Sequence, residues 1–262
     1  MNTLRRWLVV CSGWLACVGP MTGEMPVARD LGTPVKGVNW VRLHAGSTAT
    51  GEASLLVTMG QNNGGLIVLD VDLETGHCSQ YSVSDRKNST FPTATFRSLQ
   101  TGILYIGSAW DAHLHRFDPA HPERGVEDLG SLGEGSTFPT GINEAPDGSL
   151  WIGTAPEARL IKYEPSSGEF THLGRMHDDE VYLYPLVGDD YTVAALVRVV
   201  RPHMVMVDPV TGEHREVGIE ITDSTDDSQF IRFFKGVDRR LYVSSHTGDY
   251  MLRDLTLMPV EH

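Results

Sequence analysis

The sequence predicts an all-β fold, a β-propeller of about five blades that contain four antiparallel strands each. The segments Thr90–Thr93 and Thr137–Thr140 are identical, and Gly102–Ser108 matches Gly148–Thr154 in its pattern of apolar residues and glycines. An acidic residue ends the third apolar stretch of each unit, at positions 70, 118, 164, 208 and 254. The repeat of 44 to 48 residues is typical of a propeller blade.

Every unit contains the same succession of strands, named A to D in chain order. Strand A is expected to begin near the following residues of the second, third and fourth units: Pro92, Pro139 and Tyr184. Strand B covers Leu104–Gly107 in one unit and Leu150–Gly153 in the next. The Asp147-Gly148 pair before strand B is a strong hairpin signal. Strand C ends at the acidic position, and a glycine-containing turn leads into strand D.

The last unit shows strands A, B and C but no clear strand D after Asp254. A propeller closes its ring because an open ring leaves strand edges exposed. The segment Arg29–Gly32 is similar to Glu127–Gly130, which is a strand D. We therefore expect residues 28–34 to pair with residues 249–254 and to close a five-bladed ring. A piece of a ring of six or seven blades is the alternative interpretation.

Residues 1–24 are interpreted as a signal peptide, and residues 28–262 as a single propeller domain. Arg5 and Arg6 precede twelve mostly apolar residues, Trp7–Val18, which is too short a stretch for a membrane span. The expected location is therefore periplasmic or secreted. Leu15–Cys17 resembles a bacterial lipoprotein cleavage box, so a lipid anchor stays open.

The net charge of −13 argues against nucleic acid as a partner, because phosphates attract clustered lysines and arginines. Only Cys78 follows the leader, so no intramolecular disulfide is expected. We expect a monomer whose partner is a small molecule or a glycan.

Candidate catalytic residues follow from the repeat, which gathers the loops before strand A and between strands B and C on one face. His246 is the preferred general base, because it interrupts the repeat and a histidine exchanges protons near neutral pH. His113 and His203, at the start of strand C, are weaker candidates. Tyr182 and Tyr184 are candidate proton donors, with a place in the aromatic core as the alternative.

Candidate binding residues lie in the same loops. Arg198 and Arg201 suit a substrate carboxylate, Arg159 occupies the start of a strand C, and Trp110 suits a sugar ring. Solvated loop residues are the alternative for the arginines. No residue is assigned as a metal ligand, and a divalent cation such as calcium or magnesium stays open as a cofactor.

The segment Phe138–Gly153 resembles the blade motif of streptogramin lyases (virginiamycin B lyase-like) and of SMP-30/gluconolactonase-like propellers. The similarity recurs, diluted, over most of residues 30–254, and the chain is also similar to propeller polysaccharide lyases that cleave uronate-containing glycans. The latter resemblance implies a histidine and a tyrosine as base and acid, with an arginine on the uronate. No histidine–glutamate pair matches the magnesium site of streptogramin lyases. Asn143-Glu144 is the nearest counterpart of the lactonase metal ligands.

Three functions are compatible with these residues. The first is an exported carbon–oxygen lyase that cleaves a uronate-containing glycan or glycoside by β-elimination. The second is a non-catalytic propeller that binds a glycan or a protein on the same face. The third is a metal-dependent lactonase, which requires carboxylate or amide ligands that converge in the channel.

Overall fold

A computed structural model describes residues 40–61, 65–83, 91–200, 202–218, 232–245 and 247–261. These residues belong to one compact unit, residues 35–262, and they form five four-stranded antiparallel sheets. Neighbouring strands of each sheet are consecutive in the chain, so each sheet is a meander of hairpins. No helix in these residues has the length and hydropathy needed to span a bilayer.

The five sheets are the blades, numbered in chain order. Blade 1 contains β1 (Trp40–Ser47), β2 (Ala53–Gln61), β3 (Gly65–Asp72) and β4 (Cys78–Ser82). Blade 2 contains β5 (Phe91–Arg97), β6 (Leu104–Ala109), β7 (His113–Phe117) and β8 (Val126–Ser131), with one 3-10 turn at Pro122–Arg124. Blade 3 contains β9 (Ser136–Glu144), β10 (Leu150–Pro156), β11 (Arg159–Glu164) and β12 (Glu169–Arg175). Blade 4 contains β13 (Tyr182–Val187), β14 (Val193–Arg198), β15 (His203–Val207) and β16 (His214–Val217). Blade 5 contains β17 (Arg232–Lys235), β18 (Leu241–Ser245), β19 (Gly248–Arg253) and β20 (Thr256–Pro259). The predicted β-propeller of five four-stranded blades is confirmed.

The fourth strand of blade 5 comes from the C-terminal segment of the chain. β20 pairs with β19, and Arg253 lies opposite Thr256 across a two-residue turn. Both turn residues, Asp254 and Leu255, have positive φ angles, of 48° and 55°. Such a turn usually carries glycine or asparagine, so this hairpin has no recognisable sequence signal. The prediction that residues 28–34 supply this strand is therefore wrong, and those residues lie outside the described part of the chain.

The acidic residue that repeats from blade to blade is Asp72 in blade 1, and its assignment to Asp70 is wrong. Oδ1 of Asp72 accepts hydrogen bonds from the amides of Glu74 and Thr75, both at 2.8 Å. These bonds, led by the one from Thr75, lower the pKa of the Asp72 carboxyl. Asp208 closes the corresponding turn of blade 4 in the same way. Asp70 is buried within β3. Because β3 contains two acidic residues, the sequence pattern alone did not show which of them corresponds to the acidic residue of the other blades.

The hydrophobic core consists of layers between neighbouring blades. One cluster joins blades 1 and 2 through residues such as Leu56 and Phe117, neither of which is exposed. Similar clusters join blades 2 and 3, blades 3 and 4, and blades 4 and 5. The first strands of neighbouring blades also contact each other, so strand A is the innermost strand.

Two glycines of the repeated strand B allow the blades to approach closely. A Cβ atom on Gly107 would lie 2.3 Å from the side chain of Pro139 in the next blade. A Cβ atom on Gly153 would lie 2.0 Å from the backbone oxygen of Leu183. The same oxygen accepts a hydrogen bond from the Thr140 hydroxyl. The glycine of the repeat is therefore a requirement of packing between blades.

We expect Gly153→Ala to lower the free energy of unfolding by about 1–3 kcal/mol, because the added methyl group meets backbone that cannot rotate away. Urea denaturation of both proteins measures the difference. Gly218→Ala is the matched control, because a Cβ atom there has open space within 4 Å. Equal stability of the two variants would contradict the close approach of blades 3 and 4.

Candidate functional site

A row of aromatic rings runs along the beginnings of strand A in blades 1 to 4 and includes one ring from the loop between strands B and C of blade 2. We call it the aromatic arc, and its members are Trp40, Phe91, Trp110, Phe138, Tyr182 and Tyr184. The centroids of successive rings lie between 5.8 and 6.4 Å apart, so the arc is continuous from blade 1 to blade 4. Trp110 is 55% exposed and Trp40 is 39% exposed, which leaves ring surface available to a ligand.

The arc ends at a pair formed by an arginine and a tyrosine in blade 4. The guanidinium of Arg198 donates a hydrogen bond to the Tyr184 hydroxyl at 3.1 Å and lies 4.8 Å from the centre of its ring. Tyr182 and Tyr184 lie on the same side of β13, because alternate residues of a strand share a face. The structure thus brings together four of the predicted residues: Trp110, Tyr182, Tyr184 and Arg198.

A cavity of about 390 Å³ adjoins the arc, and strands β1, β5 and β9 form its wall. Its polar side chains include Arg42, His44, Thr93 and Thr95. Arg42 donates to the backbone oxygen of Thr93 at 3.3 Å, and a hydrogen bond of 2.7 Å joins His44 Nε2 to Thr95 Oγ1. The cavity therefore contains a cation and a titratable imidazole.

Burial lowers the pKa of His44, and the positive charge of Arg97 lowers it further. The imidazole is consequently neutral at neutral pH, which is the form that accepts a proton. The hydrogen bond to Thr95 holds the ring, and in the tautomer in which Nε2 donates to Thr95 Oγ1 the other nitrogen, Nδ1, is unprotonated and accepts a proton. His44 has the properties of a general base.

Sequence reasoning missed Arg42 and His44, although a signal for them exists. Trp40, Arg42 and His44 alternate along β1 and so share one face of the strand. Blade 2 carries Thr93 and Thr95 in the corresponding places, so the arginine and the histidine both interrupt the repeat.

The predicted candidate His113 lies in blade 2 at the start of strand C, two strands outward from strand A. Its Nδ1 lies 3.0 Å from both carboxylate oxygens of Asp128. The neighbouring His115 is fully buried, and this burial lowers its pKa to about 4 despite the charge of Asp128. Strands lie about 4.8 Å apart, so strand C is roughly 10 Å from strand A. The catalytic role of His113 stays a prediction.

Two further predicted residues also lie at the start of strand C. His203 is 1% exposed, and its Nδ1 lies 3.8 Å from the Glu180 carboxylate. Arg159 forms an ion pair with Glu157 at 2.6 Å. Neither residue belongs to the arc. His246 and Arg201 lie outside the described residues, and all four roles stay predictions.

The candidate lactonase ligands Asn143 and Glu144 lie at the opposite end of the innermost strands. Asn143 Oδ1 accepts a hydrogen bond from the Val187 amide at 2.9 Å, and Glu144 accepts one from the Ser98 hydroxyl. Both side chains therefore connect neighbouring blades. The aromatic arc and its cavity combine exposed aromatic rings with a cation and a titratable imidazole, and they are therefore the candidate site.

Neither the protein-family models nor the curated protein sequences include a match to this chain. Solved structures do match its fold. A virginiamycin B lyase from Staphylococcus aureus is 14% identical, with a TM-score of 0.56 over 85% of this chain and 75% of that one. An oligogalacturonate lyase from Vibrio parahaemolyticus is 16% identical, with a TM-score of 0.50 over 80% and 63%.

An extracellular domain of a one-component system from B. thetaiotaomicron has a TM-score of 0.51 and 17% identity, over 76% of this chain and 26% of that one. Identities this low demonstrate the fold alone, since one fold hosts many functions. The resemblance that the blade motif indicates is confirmed at that level. This chain has the β-propeller fold of the virginiamycin B lyase and the oligogalacturonate lyase.

Proposed function

We propose that this protein is a carbon–oxygen lyase that binds a uronate-containing glycan along the aromatic arc and cleaves it by β-elimination. The observation that carries the proposal is the arc itself, which adjoins a cavity containing Arg42 and a neutral His44. The faces of sugar rings present C–H groups, which pack against aromatic rings. An arginine binds a carboxylate through paired hydrogen bonds.

The reaction requires three groups, and the site offers each of them. Arg42 pairs with the uronate carboxylate and so stabilises the negative charge that develops when the proton on C5 leaves. His44 accepts that proton. The C5–H electrons form a C4–C5 double bond as the C4–O bond breaks, and Tyr184 donates its proton to the leaving oxygen. Arg198, which donates to the Tyr184 hydroxyl, stabilises the phenolate that remains.

The assignment of His44 differs from the sequence-based choice of His246. His44 is favoured because it lines the cavity beside the arc, is held by Thr95 and has a lowered pKa. Two of the structures with this fold are lyases by name, which supports the reaction class. Export remains part of the proposal, supported by the apolar leader in the sequence and by the extracellular domain among the similar folds.

A non-catalytic glycan-binding propeller is the second candidate. The specific observation in its favour is the continuity of the arc, since stacked rings suffice for binding without any proton transfer. Binding and cleavage must therefore be measured separately.

We expect Trp110→Ala to weaken glycan binding about tenfold, because it removes the most exposed ring of the arc. Calorimetric titration with a panel of acidic polysaccharides measures the affinity.

Ultraviolet absorbance of unsaturated uronate products measures cleavage by the wild type, Tyr184→Phe, and the control Tyr191→Phe. Tyr191 is exposed and lies between β13 and β14, in the turn at the far end of the blade.

The outcomes separate the two candidates. Absorbance that rises with the wild type and the control but not with Tyr184→Phe supports the lyase. Binding that depends on Trp110 without any absorbance change supports the binding module. Affinity unchanged in Trp110→Ala would contradict both uses of the arc.

A further inference from the structure

A second cluster of titratable side chains lies at blade 4, on its strands C and D and on the connection that precedes the blade. It consists of His177, His203 and Glu216, whose ligand-type atoms all lie within 4.8 Å of one another. The rings of His177 and His203 are 4.3 Å apart at their centroids. His203 is almost fully buried, whereas His177 is half-buried and Glu216 is exposed, so the cluster is open on one side.

The sheet register explains why two of these residues meet. Val205 of β15 pairs with Glu216 of β16, and residues opposite each other in a sheet project from the same face. His203 lies two residues before Val205 and therefore shares that face. His177 comes from the connection between β12 and β13, which passes over the start of blade 4.

Two imidazoles and one carboxylate are a ligand set that suits zinc and related transition metals. Calcium and magnesium prefer oxygen ligands, so they are poorly suited to this cluster. Glu180, which is fully buried, lies 3.8 Å from Nδ1 of His203, on the side from which a carboxylate can orient the ring. Carboxylates behind a metal-bound histidine commonly have this role.

Glu180 is itself held in place by the backbone. One of its oxygens accepts a hydrogen bond from the Val200 amide at 3.0 Å, in the loop between strands B and C. The Asp179 amide donates to Nδ1 of His177 at 3.2 Å. Metal binding through that nitrogen would displace this hydrogen bond. The free energy lost with one hydrogen bond is small compared with the free energy gained from the metal–ligand bonds.

We propose that His177, His203 and Glu216 bind one zinc ion, with Glu180 as the residue that positions His203. The ion joins the connection between blades 3 and 4 to strands C and D of blade 4. The cluster supplies three ligands and is open on one side, so a water molecule completes the four-coordinate site. Under this proposal His203 is a metal ligand rather than a general base.

The test is a calorimetric titration of the chelator-treated full chain with zinc chloride, together with thermal unfolding at each zinc concentration. We expect one zinc ion per chain and a rise in Tm with zinc. His177→Ala removes a ligand without emptying the core, and it should abolish stoichiometric binding and the Tm rise. Glu180→Gln keeps an acceptor for Val200 and should lower the affinity about 10–100-fold.

His121→Ala is the control, because His121 is exposed and lies in blade 2 near Glu123. It should bind zinc as the wild type does. Visible absorbance of the cobalt-loaded protein should indicate tetrahedral coordination, and His177→Ala should lose this absorbance. The absence of stoichiometric binding, or equal affinity in His177→Ala and the control, would overturn the proposal.

Discussion

His44→Ala is expected to reduce kcat/KM for glycan cleavage about 10²–10⁴-fold, the usual contribution of a positioned general base. The residue combines a place in the cavity beside the arc with a hydrogen bond of 2.7 Å to Thr95. Alanine removes the only group of β1 in that cavity that can accept a proton near neutral pH. Arg42 next to it remains charged and cannot replace the imidazole.

The pH profile gives an independent readout of the same assignment. Burial, with the charge of Arg97, lowers the pKa of His44 below its ordinary value of 6.5. A base is active when it is deprotonated, so the acid limb of kcat/KM should lie below pH 6.5, and activity should fall only as the pH drops through the lowered pKa. His77→Ala is the matched control, because His77 is an exposed histidine of the same blade.

Two results would contradict the role of His44. The first is wild-type activity in His44→Ala together with a loss of activity in His246→Ala, which would assign the base to His246. The second is an acid limb above pH 6.5, which requires a base with a raised pKa.

Phe117→Ala is expected to lower the free energy of unfolding by about 3–5 kcal/mol, as large-to-small changes of buried aromatic residues do. Phe117 has no exposed surface and lies in the layer between blades 1 and 2, with its ring 4.7 Å from that of Tyr81. The loss of stability exceeds the free energy of transferring the phenyl group from the core to water. The two packed sheets cannot close around the cavity that the substitution leaves, and this cavity adds its own cost.

Urea denaturation monitored by tryptophan fluorescence measures this difference. Phe234→Ala is the control, since Phe234 is 45% exposed and its ring stacks on Tyr242 at 5.9 Å. Its loss should cost about 1 kcal/mol. A cost of that size for Phe117 as well would mean that blades 1 and 2 do not share a packed layer.

Four members of the candidate site were predictable because the repeat assigns them to one face. Trp110, Tyr182, Tyr184 and Arg198 lie in the loops and strand ends that the repeat places there, and they do come together. Arg42 and His44 were not selected, because the repeat alone does not tell which strand positions border a cavity. That depends on how strands β1, β5 and β9 of three different blades approach one another.

The sequence by itself determined the four-stranded repeat and the order in which its strands pair, except for the last strand of blade 5. Hairpin turns and alternating apolar residues are local features, and a sheet built from consecutive hairpins needs no other information. Only the tertiary structure decided that Asp254 and Leu255 turn the chain into β20, because positive φ angles in non-glycine residues have no sequence signal. It also decided that His177, His203 and Glu216 meet. Their contact depends on the stacking of blades 3 and 4, which is set by long-range packing rather than by any local pattern.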